Sequence, residues 1–361
     1  MNKLKSYAAS KRGRDSLLSY GIVIIAYIAM QAVIAGGGLS SSLKGQLVPI
    51  CAYIVMAVSL NLTVGILGEL SLGHAGFMSV GAFTGIVVTT ALADAIPSAP
   101  VRLAVAIAAG GVIAAIAGVI VGVPVLRLKG DYLAIVTLAF GEIIKNVVNV
   151  LYIGRDASGL HFSLLSQRFE LAEGGKMIIN GPMGVSGVQK ISTFTSGVVL
   201  ILVTLFVMLN LINSRTGRAI MSVRDNKIAA DSIGISTTRY KLLAFVVSAA
   251  FAGMAGTLYG MNFSTVTAAK FDFNTSILVL VFVVLGGLGN IWGSIIAAAL
   301  LTVLPELLRA VSDYRMLIYA ILLIALMLFN NSGLKRRIIE KRGLRQMEKL
   351  EKADMAGKGG A

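Results

Sequence analysis

GELSLGHAGF, Gly68 to Phe77, interrupts a run of residues so apolar that only a membrane interior suits its flanks. Within ten positions it holds a glutamate, a serine, a histidine and three glycines. Lipid satisfies neither a carboxylate, nor an imidazole, nor the backbone groups that a broken helix leaves unpaired. The stretch therefore predicts a helix break hidden from lipid, with Gly68, Gly73 and Gly76 as its weak points. Glu69, Ser71 and His74 then either hold the broken ends by hydrogen bonds or line a path.

Working outward, hydrophobic residues make up 56% of the 361 and charged residues 14%, where ordinary soluble domains have about 45–50% and about 25%. Apolar segments fall at 18–35, 47–64, 74–92, 102–123, 132–152, 195–213, 241–261, 274–290, 293–311 and 315–330. The expected fold is an all-α polytopic membrane bundle of about ten spans, and lipid is its solvent. No separate soluble catalytic domain fits. The run after the basic N-terminus is longer than a signal-peptide core, so a retained first span is expected. Cys51, alone in an apolar run, reads as a small buried hydrophobe.

The net charge of +15 would suggest nucleic acid in a soluble chain, but the basic residues sit between or beyond the spans and read as topology signals. No nucleic-acid partner is expected. With both termini in the cytoplasm, inside segments carry 22 Lys and Arg and outside segments 8. This divides the chain into a basic cytoplasmic segment 1–17, a transmembrane region 18–330 and a basic cytoplasmic tail 331–361. Within the transmembrane region 153–194 is an outer loop and 214–240 an inner one.

The inner loop sets Ile220, Val223, Ile228, Ile233 and Ile235 among charged residues, a pattern that suits a short amphipathic helix broken at Gly234. It reads as a docking surface or as a basic loop that only fixes topology. A second glycine-rich stretch, GGLGNIWGS, with Gly286, Gly287 and Gly289, lies at a comparable point of the other half. Paired interrupted segments point to an internal repeat and a substrate path. Glu142 and Lys145, three apart on one helical face near the bilayer midplane, are either a mutually neutralised pair or part of that path. Thr137, on the same span, is counted with the path candidates Glu69, Ser71, His74 and Glu142.

The chain lacks a G-x-x-x-x-G-K-[ST] phosphate loop, and its only histidines are His74 and His161. Little material remains for a metal site or a nucleophilic triad. Neither an enzymatic role nor a cofactor is expected. A proton-coupled transporter of small amino acids or amides, with Glu69, His74 and Glu142 as a relay, remains an alternative, and so does a channel.

NLTVGILGELSLGHAGFMSVGAF, LRLKGDYLAIVTLAFGEIIK, NGPMGV and RAIMSVRDNKIAADSIGISTTRYKLLAF occur in that order between Asn61 and Phe245. Together they resemble the M-type permease subunits of the high-affinity branched-chain amino acid ABC importers. The resemblance implies a complex in a bacterial inner membrane, with a second homologous permease, two cytoplasmic ATPases and a periplasmic binding protein. It also implies that Ala229, Ala230 and Gly234, matching an Ala-Ala-x-x-x-Gly core, engage an ATPase, with Arg218 and Arg224 beside them. The glutamate common before those alanines is replaced by Ile228. A reporter fused after Ser192 should read outside and one after Thr216 inside; a cytoplasmic readout for 153–194 would overturn the ten-span topology.

Overall fold

The computed structural model describes residues 11–308 except 39, 129, 157, 158 and 166–174, together with 317, 318, 320, 321, 324 and 328. The chain divides into two units, 1–303 and 304–361. Of the second, only the end of one helix and a few helical positions are described, so the last expected span, 315–330, falls almost wholly outside the described residues.

The bundle is helical. Helices α1 (Lys11–Ala35), α2 (Ser41–Asn61), α3 (His74–Ala91), α4 (Ala99–Val125) and α5 (Asp131–Asn149) precede the outer segment. Then come α6 (Phe194–Asn213), α7 (Arg215–Asp225), α8 (Lys227–Ser232), α9 (Thr237–Gly260), α10 (Phe273–Gly286) and α11 (Ile291–Leu307). Six of these are long and apolar enough to cross a membrane, and 20–35, 273–286 and 291–307 are shorter apolar helices. On α4 the side chains of Val105, Val112, Ile116, Ile120 and Val123 point outward. That apolar rim suits lipid, and the protein is a multi-pass membrane protein.

The core is built on close backbone approach. In α9, Gly253 faces α4, where an added Cβ would stand 2.6 Å from the Gly110 carbonyl oxygen. Gly256 and Gly81 sit equally tightly against the α3 backbone at Met78 and the α9 backbone at Gly253. The Thr257 hydroxyl donates to the Gly81 carbonyl at 2.8 Å and the Ser248 hydroxyl to the Ser59 carbonyl at 2.6 Å. Lipid tails are as apolar as leucine, so contact and hydrogen bonding of this kind, rather than hydrophobic exclusion, bring membrane helices together. Pro49 within α2 has no N–H for the Gly45 carbonyl. That orphan acceptor is taken by the Asn262 side chain at 3.1 Å.

The outer segment departs from a simple polar loop. Strand β1 (Leu151–Asp156) pairs antiparallel with β2 (Gly159–Leu164) and with β3 (Lys176–Asn180), with Gly154 opposite His161 and Ile153 opposite Ile179. A short β4 (Val185–Ser186) pairs with β5 (Thr265–Val266). The strands among the described residues are five or six residues long at most, or only two, which is why span-scale hydropathy did not reveal them. NGPMGV is the turn between β3 and β4, with left-handed Gly181 and Gly184.

Cross-links sort the two ends of the bundle. At one end Arg155 of β1 donates to the Thr90 carbonyl at 2.6 Å and to Asp94 at 2.7 Å, Arg102 donates to Gln189 at 3.0 Å, and Asn262 reaches Gly45. At the other end, residues 61–73, the α7–α8 segment and 286–290 come together. If close packing holds the core, Gly253→Leu should lower the detergent melting midpoint sharply, by a strain of about 3 kcal/mol or more. Gly21→Ala, with open space around the added carbon, should leave the midpoint unchanged or slightly raised.

Candidate functional site

The first break begins where α2 widens. Leu62–Ile66 form a π turn, with the Leu67 N–H on the Leu62 carbonyl at 3.0 Å. The Glu69 N–H then turns to Thr63 at 3.0 Å, leaving the Gly65 carbonyl without its helical donor. Asn61, fully buried at the start of the widening, is a two-way clamp. Its Nδ2 donates to the Ser294 hydroxyl at 3.0 Å and its Oδ1 accepts from the Gly289 N–H at 2.8 Å. The two glycine-rich stretches singled out in sequence are thus in contact, since a Cβ at Gly65 would collide with Asn61 and Gly289. They differ in build: the second is a short turn in which Gly287 and Gly289 have positive φ.

Helix α3 then starts inside the bundle, where its first N–H groups meet no water. The Leu72 N–H is caught by the Thr137 hydroxyl of α5 at 3.0 Å and the Ala75 N–H by Ser276 of α10 at 3.1 Å. Thr137 passes its own proton to the Ala134 carbonyl at 2.9 Å. Gly73 fits against the Thr137 carbonyl, and Gly76 against Gly141, where a Cβ would stand 2.9 Å from Cα. His74 is buried, with Nε2 2.8 Å from the Ser59 hydroxyl. That hydroxyl donates to the Met56 carbonyl at 2.9 Å, so Nε2 carries the hydrogen and donates. The hydroxyls of Thr63, Ser71 and Ser79 are buried without a partner among the described residues.

Toward the surface, Glu69 and Lys241 of α9 form an ion pair. Lys241 lies about 10 Å along α9 from Ser248, the residue level with Ser59. The neighbouring loop is ordered by its own caps. Ser214 accepts from the Gly217 N–H at 3.1 Å to start α7, and Asn226 from the Ala229 N–H at 3.1 Å to start α8. Helix α8 closes with Ile235 N–H on the Ala230 carbonyl at 3.0 Å and Gly234 N–H on the Asp231 carbonyl at 3.1 Å, Gly234 having φ +84°. This is the paired bonding of a left-handed helix stop. Ile220, Val223 and Ala230 turn inward, whereas Ile228 is 80% and Ile233 75% exposed. Arg218 is exposed beside its α7 start. A single amphipathic helix broken at Gly234 is therefore replaced by two helices meeting at Asn226, with two isoleucines left outward.

Glu142 pairs with Lys145 on α5, and both side chains are partly exposed. Burial raises the Asp272 carboxyl, but hydrogen bonds from Thr275 and Asn274 and the charge of Lys145 hold it below its ordinary value. Lys145 lies near the end of α5 that leads into β1. Glu69, His74 and Glu142 each have a partner of their own, and among the described residues no hydrogen bond joins one to another. Thr137, counted with the path, serves as a backbone acceptor and packing contact. Sequence reasoning missed Asn61, Ser59, Ser276 and Lys241. A lone asparagine inside an apolar run was the available signal for Asn61; the hydroxyl residues gave none, because their partners lie far away in sequence.

Residues 42–328 match the family described as branched-chain amino acid transport system, permease component. Over 297 residues the chain is 37% identical to the high-affinity branched-chain amino acid transport system permease protein LivM of Salmonella typhimurium and to that of Escherichia coli. Each match covers 78% of this chain and 67% of the relative. It is 25% identical over 290 residues to the corresponding permease protein BraD of Pseudomonas aeruginosa, covering 79% of this chain and 92% of that one. No solved structure matches it significantly. With its polytopic bundle, two touching helix breaks and ordered loop, the chain belongs to the family of branched-chain amino acid transport permease components.

Proposed function

We propose that this chain is a membrane-spanning permease subunit of an ATP-driven importer of branched-chain amino acids in a bacterial inner membrane. A second homologous permease completes the translocation path, two ATPases dock on the cytoplasmic side and a periplasmic binding protein delivers the substrate. Both termini are cytoplasmic. Residues 153–194 face the periplasm and 214–240 form the coupling loop. Glu69, Ser71, His74, Thr137 and Glu142 stand along or beside the path.

The observation that carries this reading is the build of α8. A six-residue helix capped at both ends holds Ile228 and Ile233 fully outward. Two large apolar side chains on a rigid cytoplasmic turn are poorly placed for water and well placed for a groove on a soluble partner. The chain has no nucleotide-binding loop of its own, so the energy of ATP enters through that contact. Arg218 adds an exposed positive charge beside it, and Arg224 stands next to it with its guanidinium on Asp225.

The test is copurification of the ATPase with variants of this chain, together with ATP hydrolysis in reconstituted vesicles. Gly234→Val should insert and pair with its permease partner but lose ATPase association and substrate-stimulated hydrolysis. Its φ is one that a β-branched residue rarely adopts, although nothing crowds the position. Ile228→Asp should weaken association about tenfold or more by placing a charge in the apolar contact. Arg218→Glu should give a milder defect that varies with salt. Normal association and coupling in both Gly234→Val and Ile228→Asp would rule α8 out as the docking element.

A further inference from the structure

The first helix break is gripped at two points beside α8, once from the last turn of α7 and once from the start of α9. Arg224, in the last turn of α7, lays its aliphatic stem on Gly68: a Cβ there would stand 2.7 Å from Cγ of Arg224. Gly68 has φ +80°, so the contact falls where the backbone itself favours glycine. The guanidinium donates through Nη1 to the Gly65 carbonyl at 3.4 Å. This is the acceptor orphaned when the Glu69 N–H turns to Thr63. Asp225 holds the rest of the group, at 3.0 Å from Nε and 2.8 Å from Nη2. The second grip is the Glu69–Lys241 pair, whose side chains are only 14% and 8% exposed. From the break the connection continues through Asn61 to Gly289, in the turn between α10 and α11, and to Ser294 in the first turn of α11.

We propose that Arg224 and the Glu69–Lys241 pair are positioning residues that join the docking loop to the helix breaks. Movement of α7 and α8 displaces Gly65–Glu69 through them, and Asn61 hands the displacement to the second break. The inference rests on the docking reading of α8 and deepens it by naming the permease residues that receive the motion. Tightly packed elements move between discrete arrangements rather than bending continuously, so a joint needs few residues if each is held on both sides. A buried charge pair suits this role. Either charge without its partner is unfavourable at this depth, so an intact pair favours the arrangement in which the two side chains meet over one in which they part.

The experiment uses the full complex of both permeases, ATPases and binding protein in vesicles, and reads substrate molecules imported per ATP hydrolysed. Lys241→Met should keep membrane abundance and ATPase copurification, but lower that ratio about tenfold. Arg224→Ala should lower it less, about fivefold. The exchange Glu69→Lys with Lys241→Glu, which restores an ion pair in reverse, should recover most of the ratio, although the volumes at each site are altered. A pair that only stabilises the fold would lower abundance, hydrolysis and import together and leave the ratio unchanged; that result, or a normal ratio in Lys241→Met, overturns the proposal. Loss of ATPase copurification in Lys241→Met also overturns it, because the pair would then belong to the docking surface. Failure of the docking reading would appear elsewhere, in Gly234→Val and Ile228→Asp, which are run alongside.

Discussion

A helix that breaks inside a membrane must find partners for its freed backbone groups, and much of this structure follows from that requirement. After Asn61 the chain stops making ordinary helical bonds, and α3 begins again inside the bundle. Four of the groups freed at the two breaks are met by side chains from other elements: the Leu72 N–H by Thr137, the Ala75 N–H by Ser276, the Gly289 N–H by Asn61 and the Gly65 carbonyl by Arg224. Those four partners belong to α5, α10, α2 and α7. The break is thus the point at which otherwise separate elements are tied together.

The same requirement explains the glycines. A broken segment held by side chains from neighbouring helices must let those helices approach, so Gly65, Gly73 and Gly76 lie where a Cβ would strike backbone or a clamping side chain. Glycine-weakened segments and polar residues, which look misplaced in an apolar run, are two parts of one arrangement. Pro49 follows the same logic on a smaller scale: its missing N–H leaves the Gly45 carbonyl free, and Asn262 takes it.

Polar groups held in this way also transmit position. Arg224 and Lys241 lie in or just after the loop, yet their charged ends rest on the break. A displacement of the loop therefore cannot leave the break unchanged unless those contacts part. Glu142 and Lys145 on α5 pair with each other, partly exposed, and make no hydrogen bond to Glu69 or His74 among the described residues.

The sequence by itself determined the solvent, the broken segments and the loop. Hydropathy and charge placement act through local composition, and Gly68–Phe77 announced its break because glutamate and histidine cannot face lipid. Gly234 was legible as a helix stop for the same local reason. Tertiary structure alone decided which groups satisfy which. Ser59 with His74, Ser276 with Ala75 and Lys241 with Glu69 join positions 15, 201 and 172 residues apart. Nothing in the neighbourhood of a serine or a lysine marks its distant partner. The outward turn of Ile228 and Ile233 was likewise not readable, because a period of apolar residues shows that a face exists but not whether this chain covers it. That is settled only by where the caps at Asn226 and Gly234 aim a six-residue helix once the bundle has formed.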